Sequence, residues 1–155
     1  MNHLSVLLAS GFGSGFIRPG SGTWGSLVGC LIIYGAFRIV PAEYYNWTLV
    51  ALFLISVILG MVAIVNLPDD WIHDDQRIVI DEVAGMILTV LFVPFSVRNL
   101  IIAFLVFRVF DIAKPLGIRG IDRMQSEWAV MLDDLLAGVY SNLTIRLIFL
   151  LLIAI

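Results

Sequence analysis

The 155-residue sequence has few charged side chains, and this scarcity limits the kind of protein it can be. Asp, Glu, Lys and Arg make up 14% of the chain, whereas 61% of the residues are hydrophobic and the mean hydropathy is +1.03. A soluble domain carries roughly 25% charged residues. We therefore expect an integral membrane protein, folded as a single domain over residues 1–155.

Several other features are missing. The one cysteine, Cys30, can form no internal disulfide, and a net charge of −3 argues against a surface that binds nucleic acid. The sequence has no GxSxG elbow and no P-loop lysine. It also lacks the alternating apolar and polar residues of an outer-membrane barrel. Helices are therefore the expected membrane elements.

Five apolar runs are long enough, or nearly long enough, to enter a bilayer. They cover residues 25–40, 47–67, 83–95, 100–110 and 135–155. The third and fourth runs are short for a span of roughly 20 residues, so they form either two short spans or one helical hairpin that does not fully cross. We predict an all-α, polytopic bundle of four or five spanning or partly spanning helices.

With five spans, the three long polar connections lie on the same side of the membrane. That side holds six of the basic residues, and the other side holds little beyond Arg38 and Arg98. The six are Arg18, Arg77, Arg108, Lys114, Arg119 and Arg123. The positive-inside rule makes their side cytoplasmic. Nearly every acidic residue lies there too, whereas a transporter needs polar groups near the midplane.

Two pairs of adjacent acids each precede an apolar helix: Asp81 with Glu82, and Asp133 with Asp134. One acid at a helix start is explained by the helix dipole. Adjacent acids repel, and the low dielectric constant at a membrane border increases the repulsion. Oxygen ligands without His or Cys favour Mg²⁺, or Mn²⁺, as the compensating cation. The alternative is that these acids only cap helices and anchor them at the interface.

A glycine-rich stretch and a basic cluster accompany the acids. The stretch "SGFGSGFIRPGSGTWGS", residues 10–26, leads into the first long helix, where free N–H groups can bind an anion. It is equally compatible with a flexible turn followed by tight helix packing. The basic cluster follows residue 107 and is compatible with an anchor for anionic lipids. Acids, a metal, glycine amides and cations together are the components of phosphoryl transfer.

Four motifs in order resemble the phosphatidylglycerophosphatase A family of small bacterial membrane enzymes. They are "PGSGTWGSL", "HDDQRIVIDEVAGM", "FRVFDIAKP" with "IRGIDR", and "VMLDDLLAGVY". The resemblance implies a Mg²⁺-dependent enzyme that hydrolyses phosphatidylglycerophosphate to phosphatidylglycerol and phosphate at the cytoplasmic face of the bacterial inner membrane. The chain departs from the family at "MQSEWAV", which lacks glycine, and at "KPLGI", where Gly117 replaces a second proline.

The motifs, together with the glycine-rich stretch and the basic cluster, predict the site residues. Metal ligands are expected at Asp81, Glu82, Asp133 and Asp134, and catalytic residues at Asp81, Arg108, Asp111, Lys114 and Asp134. Substrate contacts are expected at Arg18, Ser21, Gly22, Thr23 and Arg119, and Asp74 matches a further family acid. The attacking group is either a water activated by the ion or an aspartate that forms an acyl phosphate.

Other functions stay open at this point. A phosphatase for another lipid phosphate needs the same polar residues, and a divalent-cation transporter uses carboxylates without turnover. A CDP-alcohol phosphatidyltransferase is disfavoured because its spaced acidic motif is absent. The partner expected in every enzymatic case is a phospholipid in the membrane. The sequence predicts no oligomeric state.

Overall fold

The computed structural model of the chain describes residues 3–68, 70–71, 75–115, 117–122, 124 and 126–153. Its regular structure over these residues is helical, with seven α-helices and one 3₁₀ turn at Ser14–Phe16. The α-helices are α1 His3–Ala9, α2 Ser21–Ile39, α3 Ala42–Val65, α4 Ile80–Thr89, α5 Val97–Ala113, α6 Ile118–Asp122 and α7 Glu127–Ile153. The predicted all-α class is confirmed.

Three of the helices are long and apolar enough to cross a membrane. They are α2, α3 and residues Glu127–Leu151 of α7. They contain most of the predicted runs 25–40, 47–67 and 135–155, and each begins several residues before its run. The earlier starts arise because polar residues at the ends of a span remain helical outside the hydrocarbon.

Helix α4 is a half-length helix. Its ten residues extend about 15 Å, roughly half the thickness of the hydrocarbon core. The predicted run 83–95 therefore does not form one helix, since α4 ends at Thr89 and a turn leads to Ser96, whose side chain caps α5 by accepting from the Asn99 N–H at 3.0 Å. The short runs form a helical hairpin of α4 and the 17-residue α5.

Helix α4 lies at the centre of the bundle and packs against α2, α3, α5 and α7. Nearly all of its side chains are buried. In contrast, α3 presents a continuous row of exposed apolar side chains, which suits contact with lipid. This row comprises Leu54, Ile55, Ile58, Leu59, Val62 and Val65.

Glycines allow the helices around α4 to approach it closely. A Cβ added at Gly138 of α7 would lie 2.7 Å from the carbonyl oxygen of Gly85 in α4, closer than side-chain carbons come to backbone oxygens. On the α2 side, a Cβ at Gly25 would lie 2.7 Å from the Cβ of Val79, and one at Gly29 would lie 2.9 Å from that of Met86. Small residues at helix crossings are typical of membrane bundles.

Candidate active site

One end of the bundle contains a polar cavity of about 160 Å³. The start of α2, the start of α4, the end of α5 and the first turns of α7 surround it. Its walls are formed by Ser21, Asp75, Gln76, Ile78, Asp81, Glu82, Asp111, Lys114, Asp133 and Asp134. The structure thus brings both acidic pairs together, although they lie at least 51 positions apart in the sequence.

The close contact between Gly85 of α4 and Gly138 of α7, called here the glycine crossing, explains why the two acidic pairs converge. Asp81 precedes Gly85 by four residues, and Asp134 precedes Gly138 by four. Four residues are about one helical turn, so each acid lies one turn from the crossing on the same side of its helix. The repeated Ala-Gly after each acidic pair is a sequence signal for this packing.

Three carboxylates form a compact group in the cavity. Asp81, Glu82 and Asp134 each offer an oxygen that lies within 4.8 Å of the oxygens offered by the other two. The two aspartates are only 6% and 4% exposed. The Oε2 atom of Glu82 is buried and has no hydrogen-bond partner in the described part of the chain. Clustered oxygen donors with an unsatisfied acceptor fit a hard divalent cation such as Mg²⁺.

Two cations lie beside this group, but they pair with other acids. Arg108 Nη1 contacts Asp111 Oδ2, and Lys114 Nζ lies 2.6 Å from Asp133 Oδ2. Among the residues that the structure describes, no ion pair joins a lysine or arginine to a carboxylate of the three-acid group. The group therefore concentrates negative charge without a directly paired lysine or arginine among the described residues.

Asp133, predicted as a metal ligand, occupies a different position from the other three. Its ion pair with Lys114 keeps it out of the compact group, although it lines the same cavity. Lys114 follows the last residue of α5 in a left-handed conformation, with φ of 45° and ψ of 52°. This bend is where the chain leaves α5 toward Pro115. Metal binding by Asp133 stays a prediction.

The glycine-rich stretch is more helical than expected. Residues 21–26 form the first turns of α2 rather than a loop, because Ser21 begins the helix after Gly20. A Cβ at Gly22 would clash with Glu82 Oε1 and lie 3.1 Å from Arg108 Nη1, so glycine brings α2 against the acidic group. Close packing is one of the two roles that the sequence left open for these glycines, and substrate contact by Gly22 stays a prediction.

The remaining predicted substrate contacts are spread over the cavity and its surroundings. Ser21 lines the cavity, and Thr23 lies on the same first turn of α2 but does not line it. Arg18 and Arg119 are exposed, and Arg119 Nη2 donates to the Ala113 carbonyl at 3.1 Å. Arg123 lies outside the described residues. Substrate contact by Arg18, Ser21, Thr23 and Arg119 stays a prediction.

Asp75 and Gln76 are cavity residues that the sequence did not single out. Arg77 holds the Asp75 carboxylate through two side-chain bonds, Nε to Oδ1 at 2.9 Å and Nη2 to Oδ2 at 2.6 Å, and its guanidinium lies 4.1 Å from the ring of Trp71. These hydrogen bonds lower the pKa of Asp75. Asp74, which matched a family acid, lies outside the described residues.

The fold and the cavity define a class of protein: a helical membrane protein with a carboxylate group beside cations, an arrangement suited to phosphoryl chemistry. The family model for phosphatidylglycerophosphatase A matches residues 7–149. The chain therefore belongs to the phosphatidylglycerophosphatase A family, and it is a phosphatase. The predicted resemblance is confirmed.

Three relatives illustrate the range of the similarity. The chain is 39% identical to a "Putative phosphatidylinositol-3-phosphatase" of Bacteroides thetaiotaomicron, over 92% of this chain and 91% of that protein. It is 34% identical to a phosphatidylglycerophosphatase A of Haemophilus influenzae, over 90% and 85%. It is 35% identical to the phosphatidylglycerophosphatase A of Escherichia coli, over 87% and 77%. No solved structure matches the chain.

Proposed function

We propose that the chain removes the terminal phosphate of phosphatidylglycerophosphate, yielding phosphatidylglycerol and inorganic phosphate, in a Mg²⁺-dependent step of phospholipid synthesis. The proposed location is the cytoplasmic face of the bacterial inner membrane, because the basic residues concentrate on the side of the cavity. The family and the relatives named phosphatidylglycerophosphatase A support the substrate.

The observation that carries the proposal is a pair of unsatisfied buried atoms, one acceptor and one donor. Glu82 Oε2 has no hydrogen-bond partner among the described residues, and neither has Arg108 Nε. Buried polar atoms are nearly always satisfied in native proteins. A divalent cation would satisfy the carboxylate, and an oxygen of a phosphate group would satisfy the guanidinium. A phosphate monoester with Mg²⁺ supplies both.

The residues that would hold Mg²⁺ are Asp81, Glu82 and Asp134. When bound there, the ion supplies positive charge for the phosphate and lowers the pKa of water. Arg108 and Lys114 stabilise the charge that develops on the phosphate oxygens, as preorganised donors do in other sites. Asp111 and Asp133 fix the directions of these two cations through their ion pairs.

The lipid tails lie outside the bundle while the phosphate enters the cavity. Large apolar side chains stay exposed beside the cavity residues: Trp24 follows Ser21 on α2, and Ile112 follows Asp111 on α5 and is 71% exposed. Such side chains suit the boundary between acyl chains and headgroups. The headgroup therefore reaches the carboxylates from the membrane surface without the tails leaving the bilayer.

Phosphate release from defined lipids tests the proposal. Purified protein in phospholipid vesicles is assayed with phosphatidylglycerophosphate, with Mg²⁺ and with EDTA. We expect release with Mg²⁺ only, and loss of release in Asp81→Asn. The matched control is Glu43→Gln, which removes an exposed carboxylate at the start of α3. Full activity in EDTA, or near-normal activity of Asp81→Asn, contradicts the proposal.

A second substrate class has a specific observation in its favour. The relative from Bacteroides thetaiotaomicron is named for phosphatidylinositol 3-phosphate and is more similar to this chain than the two phosphatidylglycerophosphatases above. The same assay therefore includes phosphatidylinositol 3-phosphate and phosphatidic acid. A higher kcat/KM for either one replaces phosphatidylglycerophosphate as the substrate while keeping the proposed chemistry.

The route of attack is tested separately. Either water attacks the phosphorus atom directly, or a carboxylate of Asp81 or Asp134 first forms an acyl phosphate. Acid quenching during turnover of substrate with a radiolabelled terminal phosphate distinguishes the routes, because only the second leaves label on the protein. Label that is lost in Asp134→Asn and kept in Asp81→Asn would identify Asp134 as the nucleophile.

A further inference from the structure

The far end of α4, opposite the acidic group, is held by side chains of α7. Asn142 Nδ2 donates to the carbonyl oxygens of Thr89 at 2.9 Å and Leu91 at 3.0 Å, with a longer contact to that of Leu88 at 3.3 Å. Arg146 Nη2 donates to the same Leu91 carbonyl at 2.9 Å. Arg146 Nε donates to Asn142 Oδ1 at 2.7 Å and so fixes the orientation of the amide.

These bonds answer a requirement that arises from the short length of α4. The last four carbonyls of a helix have no partner within the helix. Asn142 follows Asp134 by eight residues, which places the end of α4 about 12 Å along α7 from the acidic group, inside the span Glu127–Leu151. Hydrocarbon offers carbonyl oxygens no donor, so side chains that donate to them at that depth avoid the cost of leaving them unpaired. A guanidinium there also complements the negative end of the helix dipole.

Helices α4 and α7 contact each other at three matched levels. Asp81 is near Asp134, Gly85 touches Gly138, and Thr89 accepts from Asn142. The residues on each helix are four apart, so they follow one face, and the two helices run in the same direction. Arg146 continues this face by four more residues.

We propose that Asn142 and Arg146 are positioning residues for the acidic group. They fix the C-terminal end of the ten-residue α4. The contact between Gly85 and Gly138 lies midway between that end and the acidic group. Because α4 is rigid, fixing its C-terminal end keeps Asp81 and Glu82 at their distances from Asp134. Asp134 lies on α7, the helix that also carries Asn142 and Arg146. The inference rests on the proposed function for its consequences in catalysis, but not for its consequences in structure.

The structural arm measures hydrogen exchange of the full-length protein in lipid nanodiscs. In Asn142→Leu, which keeps side-chain size without a donor, we expect exchange over residues 84–91 to accelerate at least about tenfold, as local opening becomes easier. The matched control is Thr144→Val, which removes a hydroxyl that bonds within α7, to the Tyr140 carbonyl at 2.8 Å. That control is expected to leave residues 84–91 unchanged.

The functional arm separates positioning from general damage. In Asn142→Leu we expect kcat to fall at least about tenfold and the Mg²⁺ concentration for half activity to rise, because small displacements of reacting groups are costly. KM for the lipid is expected to stay within about twofold, since the proposed phosphate site lies about 12 Å along α7 from Asn142. Arg146→Met should reduce kcat, and Arg146→Lys, which keeps one donor, should restore part of the loss.

Each outcome decides the inference. If hydrogen exchange over residues 84–91 is unchanged in Asn142→Leu, Asn142 does not hold the end of α4. If this variant has a normal kcat and a normal Mg²⁺ requirement, Asn142 does not position the acidic group. Equal loss in Arg146→Met and Arg146→Lys argues against the donor as the cause. If the wild-type protein releases no phosphate from any lipid tested, the proposed function fails, and the exchange arm still decides whether Asn142 holds α4.

Discussion

Replacing Asp134 by asparagine should stabilise the metal-free protein while abolishing its activity. Asp134 has no cationic partner in the described part of the chain, and its oxygen lies within 4.8 Å of those of Asp81 and Glu82. The asparagine side chain would keep the size of the aspartate and remove its charge. The change therefore tests directly whether the three carboxylates repel one another in the absence of a divalent ion.

The size of the effect follows from Coulomb's law. Two unit charges at this separation repel by about 3–4 kcal/mol at an effective dielectric constant of ~20. Removing the charge of Asp134 eliminates two such interactions. The gain has an upper limit, because an ordinary carboxyl group can escape repulsion at pH 7 by binding a proton, at a cost of about 4 kcal/mol. A gain of about 2–4 kcal/mol corresponds to an increase in Tm of roughly 5–15 °C for a chain of this size.

The assay is thermal unfolding of purified protein in detergent, with EDTA and with increasing Mg²⁺. The wild-type Tm should rise with Mg²⁺, since a ligand that binds only the folded state stabilises it. The Tm of Asp134→Asn should start higher in EDTA and rise less. Glu43→Gln controls for the loss of an exposed carboxylate, and its effect should stay within about 0.5 kcal/mol. A Tm of Asp134→Asn below the wild-type value in EDTA would refute the reasoning.

Three further predictions concern packing, charge and pH. Gly138→Leu should separate α7 from α4 and abolish both phosphate release and the Mg²⁺-dependent rise in Tm, whereas Gly35→Ala should do neither, because a Cβ there meets nothing within 4 Å. Lys114→Met should reduce kcat by about 10²-fold or more, and Lys114→Arg should retain part of the activity, as measured by phosphate release. Arg77 lowers the pKa of Asp75 below its ordinary value of 3.8, so the ionised pair stabilises the fold fully above that pH and the contribution is lost as the pH falls further. Unfolding midpoints measured from about pH 6 to pH 3 should therefore fall more steeply in the wild type than in Asp75→Asn.

Much of the architecture follows from hydropathy. The runs that became α2, α3 and α7 are the three longest of the five, so length separates them from the two short runs. The placement of both acidic pairs on one side of the membrane also follows from hydropathy. Each pair ends a connection between apolar runs, and every second connection returns to the same side. In one stretch, local composition carried two meanings that the sequence could not separate. The glycines of residues 21–26 suit a loop and a tight helix contact equally, and the partner across the contact, Glu82 for Gly22, is 60 residues away.

Other features depend on distances that no local pattern encodes. Asp133 and Asp134 are adjacent in sequence, yet a rotation of about 100° per residue along α7 directs one toward Lys114 and the other toward Asp81. Arg146 had no assigned role, because a single charge in an apolar run indicates a partner without naming it. Its partners are Asn142 and a backbone carbonyl beyond the end of α4, and backbone atoms carry no sequence signal.

The matched spacing of α4 and α7 explains why the chain can tolerate an acidic group that opposes its folding. Repulsion among Asp81, Glu82 and Asp134 acts at one end of the α4–α7 pair and tends to spread the helices there. The contact between Gly85 and Gly138 permits close approach one turn away, and the Asn142 amide holds the other end of α4, so spreading the helices would break the hydrogen bonds of Asn142. The carboxylates are thereby held close before any cation binds, so binding need not bring them together. An ion that binds there removes the repulsion without rearranging the helices, which predicts that Mg²⁺ raises stability strongly while it changes hydrogen exchange in α4 less than Asn142→Leu does.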